Sequence, residues 1–204
     1  MEELVFAINQ STPENIWDTI TKRNLNNRRI IVNQDIDDSM LELICLNILD
    51  WNREDKDIPI KKRKPIYILI NSYGGDVFMG NQIIGSIQQS ITPVITVGFS
   101  MCASMASYIL AAGHTRYCFP NTIVLLHDGE LSISSSTNKV RDFQNFYDDF
   151  NESMNDFWLE NTKMTKEFLD EITDREYYMF AKEAKERGLV DKIIGVDCKL
   201  DEIL

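Results

Sequence analysis

Short apolar runs alternate along this chain with stretches in which apolar residues recur every three or four positions. The first kind reads as strand, the second as amphipathic helix. Arg28 to Val32 (RRIIV) predicts a strand. Asp37-Asp38-Ser39 then caps a helix whose apolar positions are Met40, Leu41, Ile44, Ile48 and Leu49. Asn52 to Lys64 reads as a charged loop. Ile66 to Ile70 (IYILI) is a continuous apolar run, the pattern of a strand covered on both faces. A helix through Val77, Ile83, Ile84 and Ile87 is stopped by Pro93, and Val94 to Val97 predicts the next strand. Upstream, Thr12 as N-cap and Pro13 at the first helical position predict a short helix through Ile16, Trp17 and Ile20.

Gly98 to Gly113 (GFSMCASMASYILAAG) joins a run of small residues to an apolar helical segment through Ile109 and Leu110. With the strand before it, this predicts strand, tight turn and buried helix, with Ser104 at the joint. Tyr117–Phe119 and Thr122–Leu126 read as strands about Pro120-Asn121, the second delivering His127. Leu131 to Asn138 fits either a strand or a loop. Lys139 to Glu160 is a long amphipathic helix carrying Val140, Phe143, Phe146, Tyr147, Phe150, Met154, Phe157 and Trp158 on one stripe. Its late position favours burial of that stripe against another subunit over packing in the chain's own core. Thr165–Ile172 and Ala181–Arg187 read as short helices, and Val190–Ile194 as a last strand. Alternation of strand and helix predicts an α/β fold with a mainly parallel sheet, whose ligands bind beyond the C-terminal strand ends.

A length of 204 residues suits one domain. A net charge of −11 argues against nucleic acid, and Lys61, Lys62, Arg63 and Lys64 form only a polar loop. Four cysteines without a CxxC pair, and two histidines, make no zinc pattern, so no metal is expected. The opening MEELVFAINQ lacks a basic region and a long apolar core, and no apolar run is long enough for a bilayer. Reduced thiols and a cytoplasmic location are the expectation.

Candidate chemistry centres on Ser104, which stands at a helix start, where free N–H groups favour a developing negative charge. A serine needs a base, and His127 at a strand end can supply one. Asp174 or Glu176 could orient the imidazole. Met105 N–H and Gly75 N–H are candidate oxyanion donors. Each feature alone has an ordinary structural reading: a packed Ala/Ser helix, a glycine turn, a satisfied histidine.

Six blocks taken together resemble a known family: NSYGGDV (Asn71–Val77), GFSMCASMAS (Gly98–Ser107), ILAAG (Ile109–Gly113), PNTIVLLH (Pro120–His127), TDRE (Thr173–Glu176) and EAKERGLVD (Glu183–Asp191). In order and spacing, over roughly Arg28 to Ile194, they are similar to the proteolytic subunit of the ATP-dependent Clp protease. The resemblance implies a crotonase-like fold, with a head of about residues 1–127 and 173–204 and a projecting handle of about 128–172. It implies two stacked heptameric rings enclosing serine peptidase sites, and a partner AAA+ unfoldase that feeds unfolded polypeptide and itself consumes the ATP, so that this chain needs no cofactor. By the resemblance, the nucleophile falls on Ser104, the base on His127, the orienting acid on Glu176, the oxyanion donors on Gly75 and Met105, and a ring–ring contact on Asp174 and Arg175. The chain departs from the family pattern with Glu176 for the usual aspartate, Tyr73 for a proline, and Asp128-Gly129 for Gln-Pro. A ring-building paralogue of low activity is the nearest alternative. A crotonase-type acyl-CoA hydratase or isomerase is a more distant one.

Overall fold

The computed structural model describes residues 16–129 and 132–203. The N-cap expected at Thr12, Pro13, and Leu131 at the head of the 131–138 segment lie outside the described residues. In chain order the elements are α1 (Ile16–Asn26), β1 (Arg29–Val32), α2 (Asp38–Asp55), β2 (Ile66–Ser72), α3 (Val77–Gln88), β3 (Val94–Ala103), α4 (Met105–Ala111), β4 (Thr115–Cys118), β5 (Ile123–Leu126), α5 (Thr137–Asn161), α6 (Lys166–Ile172), β6 (Tyr177–Phe180), α7 (Ala181–Glu186) and β7 (Lys192–Ile193). Single 3-10 turns occupy Ile60–Lys62 and Leu200–Ile203.

The strands form one sheet in the order β1-β2-β3-β4-β7, every neighbouring pair parallel. β5 runs parallel to the C-terminal end of β3, and β6 lies antiparallel on β5. β3 therefore serves two partners on one side: Ile95–Gly98 pair with β4, and Met101–Ala103 pair with β5. On β2, Ile66, Ile68 and Ile70 are fully buried in the main core, while Tyr67 and Leu69 pack on a second cluster with Val97, Tyr117, Ile194, Cys198 and Ile203. Both faces are covered, as its unbroken apolar run requires.

The structure corrects several boundaries. β3 does not end at Val97. It continues through the small residues to Ala103, because pairing of Cys102 with Ser72 and Val124 overrides the local preference. The helix after Ser104 is correspondingly short, seven residues. α2 runs into the charged stretch to Asp55, since Trp51 and Asp55 extend its buried face. Residues 132–136 form no strand. β6 follows the acidic turn as a further strand, not among those expected.

α5 also differs from its expectation. Tyr147, Phe150, Met154, Phe157 and Trp158 are buried in this chain's own core, against Tyr108 and Phe78 among others. Intersubunit burial is thus the wrong reading for most of the stripe. Phe146 stays 52 % exposed beside Phe78, so only the N-terminal part of the stripe keeps an outward apolar ring.

Candidate active site

Three adjacent strands bring the candidate residues to one sheet edge. β3 and β5 are parallel, with Ala103 opposite Leu125, so both chains leave the sheet at the same end. Ser104 is the first residue beyond β3 and His127 the first beyond β5. The Ser104 N–H donates to the Leu125 carbonyl at 2.9 Å, which ties the joint to the strand carrying His127. β6 enters from that edge in the opposite direction, with Leu126 opposite Tyr177. His127 and Glu176 are the next residues beyond this last pair, where the ladder stops.

Ser104 turns the chain sharply. Its φ of 52° and ψ of −128° put a non-glycine residue in left-handed backbone, a strain of roughly 1–3 kcal/mol that recurs where a nucleophile is lifted off a strand. Ser107 stabilises the corner by donating its hydroxyl to the Ser104 carbonyl at 2.6 Å. Gly74 lies against it: a Cβ there would come within 2.7 Å of the Ser104 Cβ and 3.1 Å of the Met105 nitrogen. Gly74 also has φ +105°, so no side chain fits on either count. At Gly75, a Cβ would strike the Ile36 carbonyl at 2.3 Å. Ser72 accepts the Gly74 N–H, and Ile36 accepts the Asp76 N–H. The N–H groups of Gly75 and Met105 have no acceptor among the described residues.

Ser104, Met105 and His127 line one cavity of about 350 Å³, with Tyr147, Phe150 and Met154 of α5 on its far wall. Such a space is large enough to take an extended side chain. The chain's other histidine is occupied elsewhere: His114 Nδ1 accepts the Val94 N–H at 3.1 Å. His127 is therefore the imidazole of this cavity. Cys102 is no rival nucleophile. It is fully buried, donates to the Ile70 carbonyl at 3.6 Å, and burial pushes its thiol pKa far up.

A family model described as Clp protease matches residues 12–197. The chain belongs to the Clp protease family. The mixed α/β fold with its mostly parallel sheet is the fold of that family, and the match starts upstream of Arg28, where the resemblance read from the sequence begins. For this Clp protease chain the remaining expected positions are less closely gathered. Glu176 is exposed, its carboxylate accepts the Tyr178 hydroxyl at 2.8 Å, and it is not among the residues that line the cavity. Asp174 and Arg175 are exposed on the same turn, Asp174 with φ 57°. Thr173, one residue earlier, does line the cavity.

The turn is anchored on its far side. Tyr177 donates its hydroxyl to Glu183 and accepts from Arg187, which also bonds Glu183 at 2.9 Å and lies 3.6 Å over the Phe168 ring. These contacts bind β6 to α6 and α7. Sequence reasoning missed Gly74, Ser72 and Asp128. The adjacent pair of glycines was legible, but which of the two faces Ser104 depends on the bridge between Gly75 and Ile36.

Proposed function

We propose that the chain is a serine endopeptidase subunit that cleaves unfolded polypeptide. Ser104 Oγ attacks the scissile carbonyl carbon while His127 accepts its proton. Met105 and Gly75 N–H groups hold the resulting oxyanion. Collapse expels the amine, protonated by His127, and leaves an acyl-enzyme that water then hydrolyses by the reverse proton path. Glu176 orients the imidazole and stabilises its charged form. The observation that carries this reading is the left-handed corner at Ser104, hydrogen-bonded two residues before His127 and opening on a cavity they share.

Family membership favours ring assembly and supply of substrate by an unfoldase, with ATP spent by that partner. Stacked heptamers, with Asp174 and Arg175 at the ring–ring contact, and a cytoplasmic site of action complete the proposal. Native mass measurement together with degradation of an unfolded protein tests it. The expected result is a mass of seven or fourteen chains, and Ser104→Ala retaining that mass with no cleavage. Cleavage that persists in Ser104→Ala overturns the assignment.

A further inference from the structure

We infer that Asp128, the residue after the candidate base, is a positioning residue that clamps the Asp174–Glu176 turn against the His127 loop; this role rests on the serine peptidase reading above. Asp128 Oδ2 accepts the backbone N–H of Asp174. The two residues belong to different segments, 46 positions apart, which face each other just past the last β5–β6 pair, Leu126 with Tyr177. Beyond that pair the ladder stops, so backbone pairing no longer holds His127 to Glu176. The carboxylate replaces the missing rung.

The clamp is needed because the turn is not self-sufficient. Asp174 has φ 57°, and such backbone in a non-glycine residue persists only where its surroundings hold it. Within the turn, the Arg175 N–H reaches the Ile172 carbonyl at 3.1 Å, but the Asp174 N–H is satisfied from outside, by Asp128. The far side is fixed by Tyr177, Glu183 and Arg187. Asp128 is thus the tie on the side facing the site. It lines the cavity together with His127 and Thr173, so slack in the turn is felt at the imidazole. Successive residues of an extended chain point to opposite faces, so Asp128 reaches the turn backbone rather than the His127 ring. It leaves the Asp174 side chain free for other contacts. Gly129 completes the fit, since its Cβ position lies 3.1 Å from the Tyr147 hydroxyl on α5.

Two variants separate the clamp from a simple charge effect. Asp128→Ala removes the acceptor. Asp128→Asn keeps a carbonyl oxygen for the same N–H and removes the charge. Hydrogen exchange at the Asp174 amide reports the clamp directly, and the rate of fluorophosphonate labelling reports its effect on the site. We expect exchange to quicken, and labelling to slow, by about tenfold or more in Asp128→Ala, the scale of one lost charge-assisted hydrogen bond. Asp128→Asn should recover most of both. Unchanged exchange in Asp128→Ala overturns the clamp. Faster exchange with an unchanged labelling rate overturns its role in positioning. Equal loss of labelling in both variants, with the amide still protected in Asp128→Asn, points to a charge acting on His127 itself and also overturns it. A wild-type chain that takes no label refutes the peptidase reading and with it any role in catalysis, while the exchange data still decide the clamp.

Discussion

At the scale of residues, the site depends on a few side chains whose backbones are already committed. Ser104 and His127 are placed by neighbouring strand ends, and no rotamer change can separate their backbones. Glu176 differs. It stands just beyond the last rung of the ladder, Leu126 with Tyr177, and its carboxylate is engaged by Tyr178. The bond from Tyr178 is charge-assisted, worth about 1.5–3 kcal/mol, and its exposed position lets water replace it. Exchange of Tyr178 for the imidazole requires that substrate or a neighbouring subunit favour it. If Glu176 orients the base, Glu176→Gln lowers turnover by on the order of 10⁴ with assembly intact. Tyr178→Phe frees the carboxylate and should raise the labelling rate. Wild-type rates in Glu176→Gln would leave His127 to be oriented without it.

At the scale of elements, the scaffold that carries the strand ends is fixed by a buried ion pair. Asp55, 2 % exposed at the end of α2, accepts from Arg28 at 2.6 Å just before β1 and from the Thr92 hydroxyl at 2.7 Å just before β3. The Arg28 bond holds the Asp55 carboxyl below the ordinary carboxylate range, against the opposing effect of burial. Its stabilisation is complete above the unfolded value of about 3.9 and is lost as pH falls through the lowered folded value. Asp55→Ala removes one partner of a buried pair and should cost roughly 3–5 kcal/mol in urea denaturation near neutral pH. The difference from wild type should narrow in acid. Legibility of the elements in the sequence follows from how local their causes are. β2, α3 and the long α5 carry their period in consecutive residues, and each lies close to its expected place. The C-terminal half of β3 exists because of pairing partners far along the chain, so its small residues gave no local sign of it, whereas the aromatic run YYMF of β6 favours a strand and was passed over beside the acidic turn. The fate of the α5 stripe was hidden for the same reason. An apolar face shows that it will be buried but not by what, and here Phe78 meets Phe146 and Phe150 while Tyr108 meets Phe157 and Trp158.

At the scale of the whole molecule, the parts of the site come from distant stretches that the parallel sheet collects at one edge. The serine was legible from its joint, and the histidine from its strand end. That they share a cavity required the branch of β3 between β4 and β5. No helix among the described residues is long and apolar enough to cross a membrane. A net charge of −11 gives the chain a net bias against polyanions. Apolar groups such as Leu46 and Leu49 of α2, about 60 % exposed, remain on the outside of the single chain, as expected of a subunit that associates with copies of itself. Serine peptidase chemistry at this edge requires that Ser104 be an activated nucleophile with His127 as its base. Mapping of the fluorophosphonate adduct by peptide mass spectrometry on the assembled wild-type protein tests it most directly. A single adduct on Ser104 is expected, formed far more slowly in His127→Ala. An adduct on any other residue, or equal labelling in His127→Ala, would contradict it.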